Sequence, residues 1–288
     1  MKLHSIQFLG NDVAVPEPDK AAVMILPFPY EGGVSYGKGA GKAPRAVLTA
    51  SAYLELYDEV LKTEPYRVGI ATLAEPEIPR DPEKMIRTVY QHTRDLLQQN
   101  KFVILLGGDH SISSGYARAL KDKYGQLSVI QIDAHSDLRD EYQGSKLSHA
   151  CVMARIREIT PHTLQIGIRS MSADEAHRVE KENLNLITMH DYRSGRFDLN
   201  ALLDALPDPV FITFDVDVFD WSVVRSTGTP EPGGLLWDEA MSLLQRIFAR
   251  KTIVGVDVVE LAHNDFDRNS PFAVAKLIYK IIGFKFFL

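Results

Sequence analysis

The chain has 288 residues, of which 45% are hydrophobic and 24% charged, with a formal net charge of −6. That balance describes a globular chain with a sizeable core. It carries no basic stripe, which argues against a nucleic-acid partner, and no apolar run long enough to span a membrane. A single cysteine, Cys151, rules out an internal disulfide and a Cys-rich zinc site. The first residues lack the apolar core and small-residue cleavage site of a signal peptide, so a cytoplasmic location is expected.

Strand and helix patterns alternate along the chain. Ala22–Pro27 reads as a strand, Pro44–Leu61 as a helix with proline near its start, and Val68–Ile70 as a short strand. Pro82–Gln99 is an amphipathic helix with Asp81 as N-cap. A Val103–Leu106 strand is followed by a helix over Ser113–Tyr124 and a strand over Leu127–Ile132. Further on, His149–Glu158, Ala173–Glu182, Leu199–Leu206, Trp237–Ala249 and Pro271–Ile282 read as helices. Between them His162–Ile168, Leu186–Met189, Val210–Phe214 and Ile253–Val259 read as strands. This order predicts an α/β fold with a mainly parallel sheet and helices on both faces. One domain over residues 1–288 is expected, since no linker or repeat interrupts the pattern. The loops at 28–42, 138–147 and 218–235 are longer than a compact fold needs, as functional loops often are.

Three apolar runs end in acidic or imidazole side chains: VILLGGDH over Val103–His110, VIQIDAHSD over Val129–Asp137, and VFITFDVD over Val210–Asp217. If these strands are parallel neighbours, His110, Asp133, His135, Asp137, Asp215 and Asp217 crowd together at one sheet edge. Alternation along extended backbone lets Asp133, His135 and Asp137 point one way, and Asp215 and Asp217 likewise. Four carboxylates in one cleft repel unless cations lie between them. Asp and His without Cys form a hard donor set that suits Mn²⁺ or Mg²⁺, and less specifically Zn²⁺, Co²⁺ or Fe²⁺. Six ligands suit two ions that share carboxylates and activate water, which implies hydrolysis. Asp109 reads instead as a turn or cap residue, and Cys151 as a small packing residue.

The motifs GGDHS, DAHSDLRDEY, SHACVMARI, FDVDVFD…STGTPEPGG and VDVVELAH, together with PFPYEGGVSYGKGAGKAPRAV, resemble in content and order those of the ureohydrolases, the arginase and agmatinase family. The likeness runs from about residue 22 to the C-terminal helix. It implies a three-layer α/β/α sandwich and a binuclear manganese centre, two Mn²⁺ per subunit. On the family pattern one ion is held by His110, Asp133, Asp137 and Asp215, the other by Asp133, His135, Asp215 and Asp217, with Asp133 and Asp215 bridging. The implied reaction is hydrolysis of a guanidinium group to urea and an amine. Glu260 matches the family's guanidinium-binding Glu and His149 its proton-shuttling His; Asp137 also stabilises the tetrahedral intermediate. Trimers or hexamers are common in the family, so a homo-oligomer is expected.

The loops resemble the agmatinase branch. Where arginases place a small amide side chain after the DAHSD run, this chain has Arg139, then Asp140 and Glu141, with which Arg139 could pair at the surface. Agmatine, a small cationic guanidine, is the expected substrate, giving putrescine. N1-aminopropylagmatine, giving spermidine, is the alternative, followed by guanidinobutyrate or a formimino substrate such as formiminoglutamate. The stretch Trp221–Ser226 departs from the family's Pro- and Gly-containing loop.

Overall fold

The computed structural model describes residues 1–10 and 13–288. In chain order it contains β1 (Val23–Phe28), α1 (Ala43–Ser51), β2 (Ile70–Thr72), α2 (Pro82–Gln98), β3 (Phe102–Gly107), α3 (Ser113–Tyr124), β4 (Ser128–Ile132), α4 (Val152–Ile159), β5 (Thr163–Ile168), α5 (Ala173–Glu182), β6 (Asn185–Thr188), α6 (Met189–Ser194), α7 (Leu199–Ala205), β7 (Val210–Asp215), α8 (Trp237–Arg250), β8 (Ile253–Val259) and α9 (Asn269–Phe287). The strands form one sheet in the order β2-β1-β3-β8-β7-β4-β5-β6. Every pairing is parallel.

The sheet is parallel because each strand returns through a helix, and such crossovers cover both faces. Side chains therefore alternate between two apolar cores. Val23 and Ile25 of β1 join the core under α1, α7, α8 and α9. Met24 and Leu26 join the core under α2, α3 and α4. Fully burying one such side chain stabilises by about 1.5–3 kcal/mol. The result is the expected three-layer α/β/α sandwich. Local capping agrees with it. The Asp81 carboxylate accepts from the Lys84 amide ahead of α2, and Ser172 with Glu175 closes a capping box on α5. Among the described residues no helix is long and apolar enough to cross a membrane.

Four elements differ from the sequence-based expectation. The helix from Pro44 ends at Ser51 rather than Leu61. Beyond it Asp58 folds the chain back, its amide donating to Thr63 O and its Oδ1 accepting from the Val60 and Leu61 amides. The apolar spacing persists there because Leu54, Leu56 and Leu61 still pack against the core in a non-helical path. The second strand lies at Ile70–Thr72, displaced from Val68–Ile70, because Gly69 leaves a tight turn at φ 83°. Helix α6 was not expected. It is six residues long and is held by the Thr188 cap rather than by an apolar period. The apolar tail does pack, as α9, but runs on to Phe287.

Strands β3, β8, β7 and β4 are consecutive at the centre of the sheet, although β3 and β4 follow each other in sequence. The crossover from β3 to β4 therefore passes over two strands, and the carboxyl ends of these four line one crevice. Entry to the crevice depends on Gly108. Its amide donates to Phe28 O, and a Cβ there would lie 1.8 Å from the Tyr30 carbonyl oxygen. Gly108→Ala is expected to destabilise the protein by at least about 1–3 kcal/mol, the range for overpacking a tight site, read from thermal unfolding.

Candidate metal centre

Four strand ends build the site. After β3 the chain enters a 3-10 turn, His110–Ile112, capped by Asp109. Asp109 is buried and accepts from the Ser111 amide (3.0 Å) and the Gly33 amide (2.7 Å), so its role is the expected cap. After β4, Asp133 through Asp137 form a loop rather than extended strand, and Asp137 takes a left-handed backbone at φ 51°. After β7 the chain enters a second 3-10 turn, Val216–Val218, in which Asp215 Oδ1 accepts from the Asp217 amide at 2.8 Å. The acids converge, but through turns. Strand alternation, on which the sequence argument relied, does not produce it.

The imidazole of His110 sits at the centre. Its Nδ1 lies 3.2 Å from Asp133 Oδ2, 3.1 Å from Asp137 Oδ2 and 3.3 Å from Asp215 Oδ2. His135 Nδ1 lies 2.8 Å from Asp217 Oδ2 and 3.8 Å from Asp133 Oδ1. Among the described residues two sets of donor atoms are close enough to hold an ion, His110–Asp133–Asp137 and Asp133–His135–Asp217, each with its atoms within 4.8 Å of one another. Asp133 belongs to both sets. Asp215 touches the first through His110 without joining either complete set.

The electrostatics of this cluster ask for cations. Burial, aided by Asp217 and Asp137, pushes the Asp133 carboxyl up to about 7. Burial and the same kind of neighbour push Asp215 well above the usual carboxylate range. Burial opposes charge on His110 and His135, yet the surrounding carboxylates outweigh it, raising His110 well above its ordinary value and His135 to about 11. Asp217 is depressed to about 2 against its burial by His135. Protons thus do the work that metal ions do in such donor sets. The tautomers fit metal as well. Thr213 Oγ1 donates to Asp257 Oδ1 at 2.7 Å, so the 2.7 Å contact from His110 Nε2 makes that nitrogen the donor. His110 Nδ1 then faces three carboxylates, and the proton they hold on it stands where a metal ion would bind.

Glu260, at the end of β8, sits 1% exposed beside the cluster with a left-handed backbone at φ 65°. Its Oε1 accepts from the His110 amide at 2.8 Å and lies 3.2 Å from His149 Nδ1. Its Oε2 is buried with no partner and faces Gly228, where a Cβ would stand 3.4 Å away. His149 begins the short turn before α4, and its Nε2 is 2.9 Å from Ser35 Oγ. Burial opposes its charge, but Glu260 outweighs it and holds the imidazole up at about 9. In the metal-free protein the stabilising contribution of this pair is complete below pH 6.5 and fades as pH rises through about 9. Glu260→Gln is expected to move the His149 titration down toward 6.5, as followed by imidazole NMR. Cys151 is buried, and burial raises its thiol to about 11, which suits packing and not nucleophilic use.

All eight residues expected at the site therefore share one crevice. Thr213, Asp257, Gln131 and Ser35 were missed. Thr213, Asp257 and Gln131 left a signal, since each is a polar residue inside an otherwise apolar strand; Ser35 left none. Arg139 does not pair with Asp140 or Glu141. It stacks on Tyr142 at 4.9 Å, with Nε 3.7 Å from Glu175, while Asp140 pairs with Lys146 and Arg155. In the unusual loop Ser226 Oγ donates to Asp267 Oδ2 at 2.6 Å and accepts from Asn264 at 2.8 Å, fixing Thr227–Gly228 beside Glu260.

A parallel three-layer fold with an Asp/His cluster at its strand ends defines a class of metal-dependent hydrolases. Residues 21–283 match the model of the arginase family, and the chain belongs to that family. It is 38% identical over 288 residues to the N(1)-aminopropylagmatine ureohydrolase of Synechocystis sp., covering 96% of this chain and 93% of that one. It is 33% identical over 285 residues to an agmatinase of Pyrococcus horikoshii, covering 98% and 99%. Among solved structures the agmatine ureohydrolase of Thermoplasma volcanium superposes with a TM-score of 0.85 at 29% identity, covering 94% of this chain and 92% of that chain.

Proposed function

We propose that the protein hydrolyses the guanidinium group of a linear guanidine bearing an amine tail, N1-aminopropylagmatine or agmatine, to urea and a polyamine. The observation that carries this reading is Glu260 Oε2, a buried carboxylate oxygen with no partner, beside Gly228 and next to the acidic cluster. A guanidinium N–H satisfies such an oxygen with a charge-assisted hydrogen bond. In this reading His110, Asp133, Asp137 and Asp215 would hold one ion, and Asp133, His135, Asp215 and Asp217 the other. The donor set suits Mn²⁺, with cellular supply deciding against tighter-binding metals. Bound there, the ions make water nucleophilic near neutral pH.

The remaining roles belong to this chain's own side chains. Glu260 orients the guanidinium carbon toward the cluster. Asp137, whose Oδ2 lies 3.1 Å from His110 Nδ1, steadies charge that develops on that carbon's substituents. His149 carries a proton at Nδ1 or Nε2, between Glu260 and Ser35, and delivers it to the departing amine. His135 is the most exposed of the six acidic and imidazole donors, at 24%, and the Glu231 carboxylate stands 3.8 Å from its Nε2 on that open side. An acid at the mouth favours a cationic tail over the carboxylate of arginine or guanidinobutyrate. The names of the relatives at 38% and 35% identity support the aminopropyl substrate, and the name of the relative at 33% identity supports agmatine. One domain, a cytoplasmic location and assembly into a trimer or hexamer complete this reading; the exposed Phe286, Phe287 and Leu288 at the end of α9 suit a subunit interface.

Urea release by the Mn²⁺-loaded protein across N1-aminopropylagmatine, agmatine, arginine, 4-guanidinobutyrate and formiminoglutamate tests the proposal. The largest kcat/KM is expected for one of the first two. Preference for arginine or guanidinobutyrate refutes the reading of the tail, and formamide from formiminoglutamate in place of urea refutes the reaction.

A further inference from the structure

Arg169, just after β5, makes a set of contacts that no step above uses. Its Nε donates to Pro232 O (3.1 Å), Nη1 to Gly167 O (3.3 Å) and Val218 O (3.4 Å), and Nη2 to Asp217 O (2.6 Å) and Glu231 O (2.9 Å). A guanidinium has five N–H donors. All five end on backbone carbonyls and none on a carboxylate, so the acidic oxygens of the cluster stay free. The backbone at the same position grips a third loop. The Arg169 and Ser170 amides both donate to Ala134 O, at 2.8 and 3.0 Å, and the Ser136 amide donates to Ser170 O at 3.2 Å. One residue thereby joins the Asp133–Asp137 loop, the turn holding Asp217, and the Glu231–Pro232 segment.

The two candidate ion sets differ in what supports them. His110, 1% exposed, is fixed from within the sheet by Thr213 and Asp257. The Asp133–His135–Asp217 set is borne largely on loops, with His135 24% exposed. We propose that the Arg169 side chain is the positioning residue of this second set: it holds the turn that carries Asp217, a donor absent from the first set, and so sets the affinity of the ion that Asp217 would hold. The inference rests on the two-ion reading above.

Arg169→Lys tests it, since it keeps the charge and discards the fork of donors. Metal-free wild type and variant are titrated with Mn²⁺ by calorimetry, and the spin coupling of the loaded ions is followed by EPR. Wild type is expected to take two ions per chain. The variant is expected to bind one as wild type does and the other about 10- to 100-fold more weakly, the usual cost of losing an outer support. The coupled Mn²⁺ signal should then be lost at concentrations that fill both wild-type sites. Arg169→Met provides a second arm. Removing a cation beside carboxylates by itself tightens cation binding, so weakening in this variant too shows that positioning outweighs charge. Two wild-type-like affinities, equal weakening of both ions, or tighter binding in Arg169→Met overturns the proposal. If wild type itself binds no pair of ions, the two-ion reading fails first, and the two failures are told apart by that measurement alone.

Discussion

Asp133→Asn is expected to abolish bound metal and urea release together, with activity falling by more than about 1,000-fold, beyond the 10- to 100-fold typical of outer-shell losses. Asp133 is the one donor common to both candidate ion sets. Its Oδ1 accepts from the His135 amide at 2.6 Å, while its Oδ2 lies 2.6 Å from Gln131 Nε2 and 3.2 Å from His110 Nδ1. An amide keeps one acceptor but turns an NH2 either toward the Gln131 NH2 or into the backbone donor, so neither rotamer restores an anionic bridge. The metal-free variant should also lose a pH dependence of stability that metal-free wild type has. Burial and neighbouring acids raise the Asp133 carboxyl from 3.8 to about 7, so its contribution is complete below pH 3.8 and lost as pH rises toward about 7. Asn removes that dependence. Unfolding midpoints of the metal-free proteins at pH 5 and pH 8 check the sign: wild type should lose more between them than the variant.

Glu260→Gln is expected to keep metal and lose substrate. The carboxylate offers the guanidinium a buried anionic oxygen, Oε2, which now has no partner, while Oε1 serves the His110 amide and His149. Gln retains an acceptor for the amide of His110 but brings a neutral NH2 toward a cationic substrate. Breaking one side of a buried charge pair typically costs about 2–5 kcal/mol, or roughly 30- to 5,000-fold in kcat/KM. The loss should fall on KM and kcat together, because the guanidinium is both held and aimed by the same oxygen. Unchanged kinetics would remove Glu260 from the site, and loss of metal would make it a support of the cluster instead.

The donors of the cluster were legible because each stands at the end of an apolar run, and the chemistry of crowded Asp and His is the same however they are brought together. The path of the backbone was not legible. Asp137 reaches His110 through a left-handed residue, and Asp217 reaches His135 through a 3-10 turn, neither of which has a periodicity. The contributions of Thr213 and Asp257 depend on β3, β7 and β8 lying side by side, a sheet order that the sequence does not state. Arg169 was invisible for a similar reason, since its partners are carbonyls, which every residue has. The helix expected to reach Leu61 failed where a side chain, Asp58, captured the backbone amides that a helix would have used. The family resemblance brought Glu260 and His149 forward from single residues that composition alone leaves ordinary. The same resemblance marked Trp221–Ser226 as unusual without saying why, and the Ser226–Asp267–Asn264 network now accounts for the serine.

Guanidinium hydrolysis by this protein would depend on two ions held in the Asp/His cluster. The most direct measurement is a stepwise Mn²⁺ titration of the metal-free protein in which bound metal per chain and urea release from N1-aminopropylagmatine are read on the same samples. The account predicts two ions per chain, with urea release appearing as the second ion binds and vanishing on chelation. Full activity at one ion per chain, or urea release that survives chelation, would contradict it.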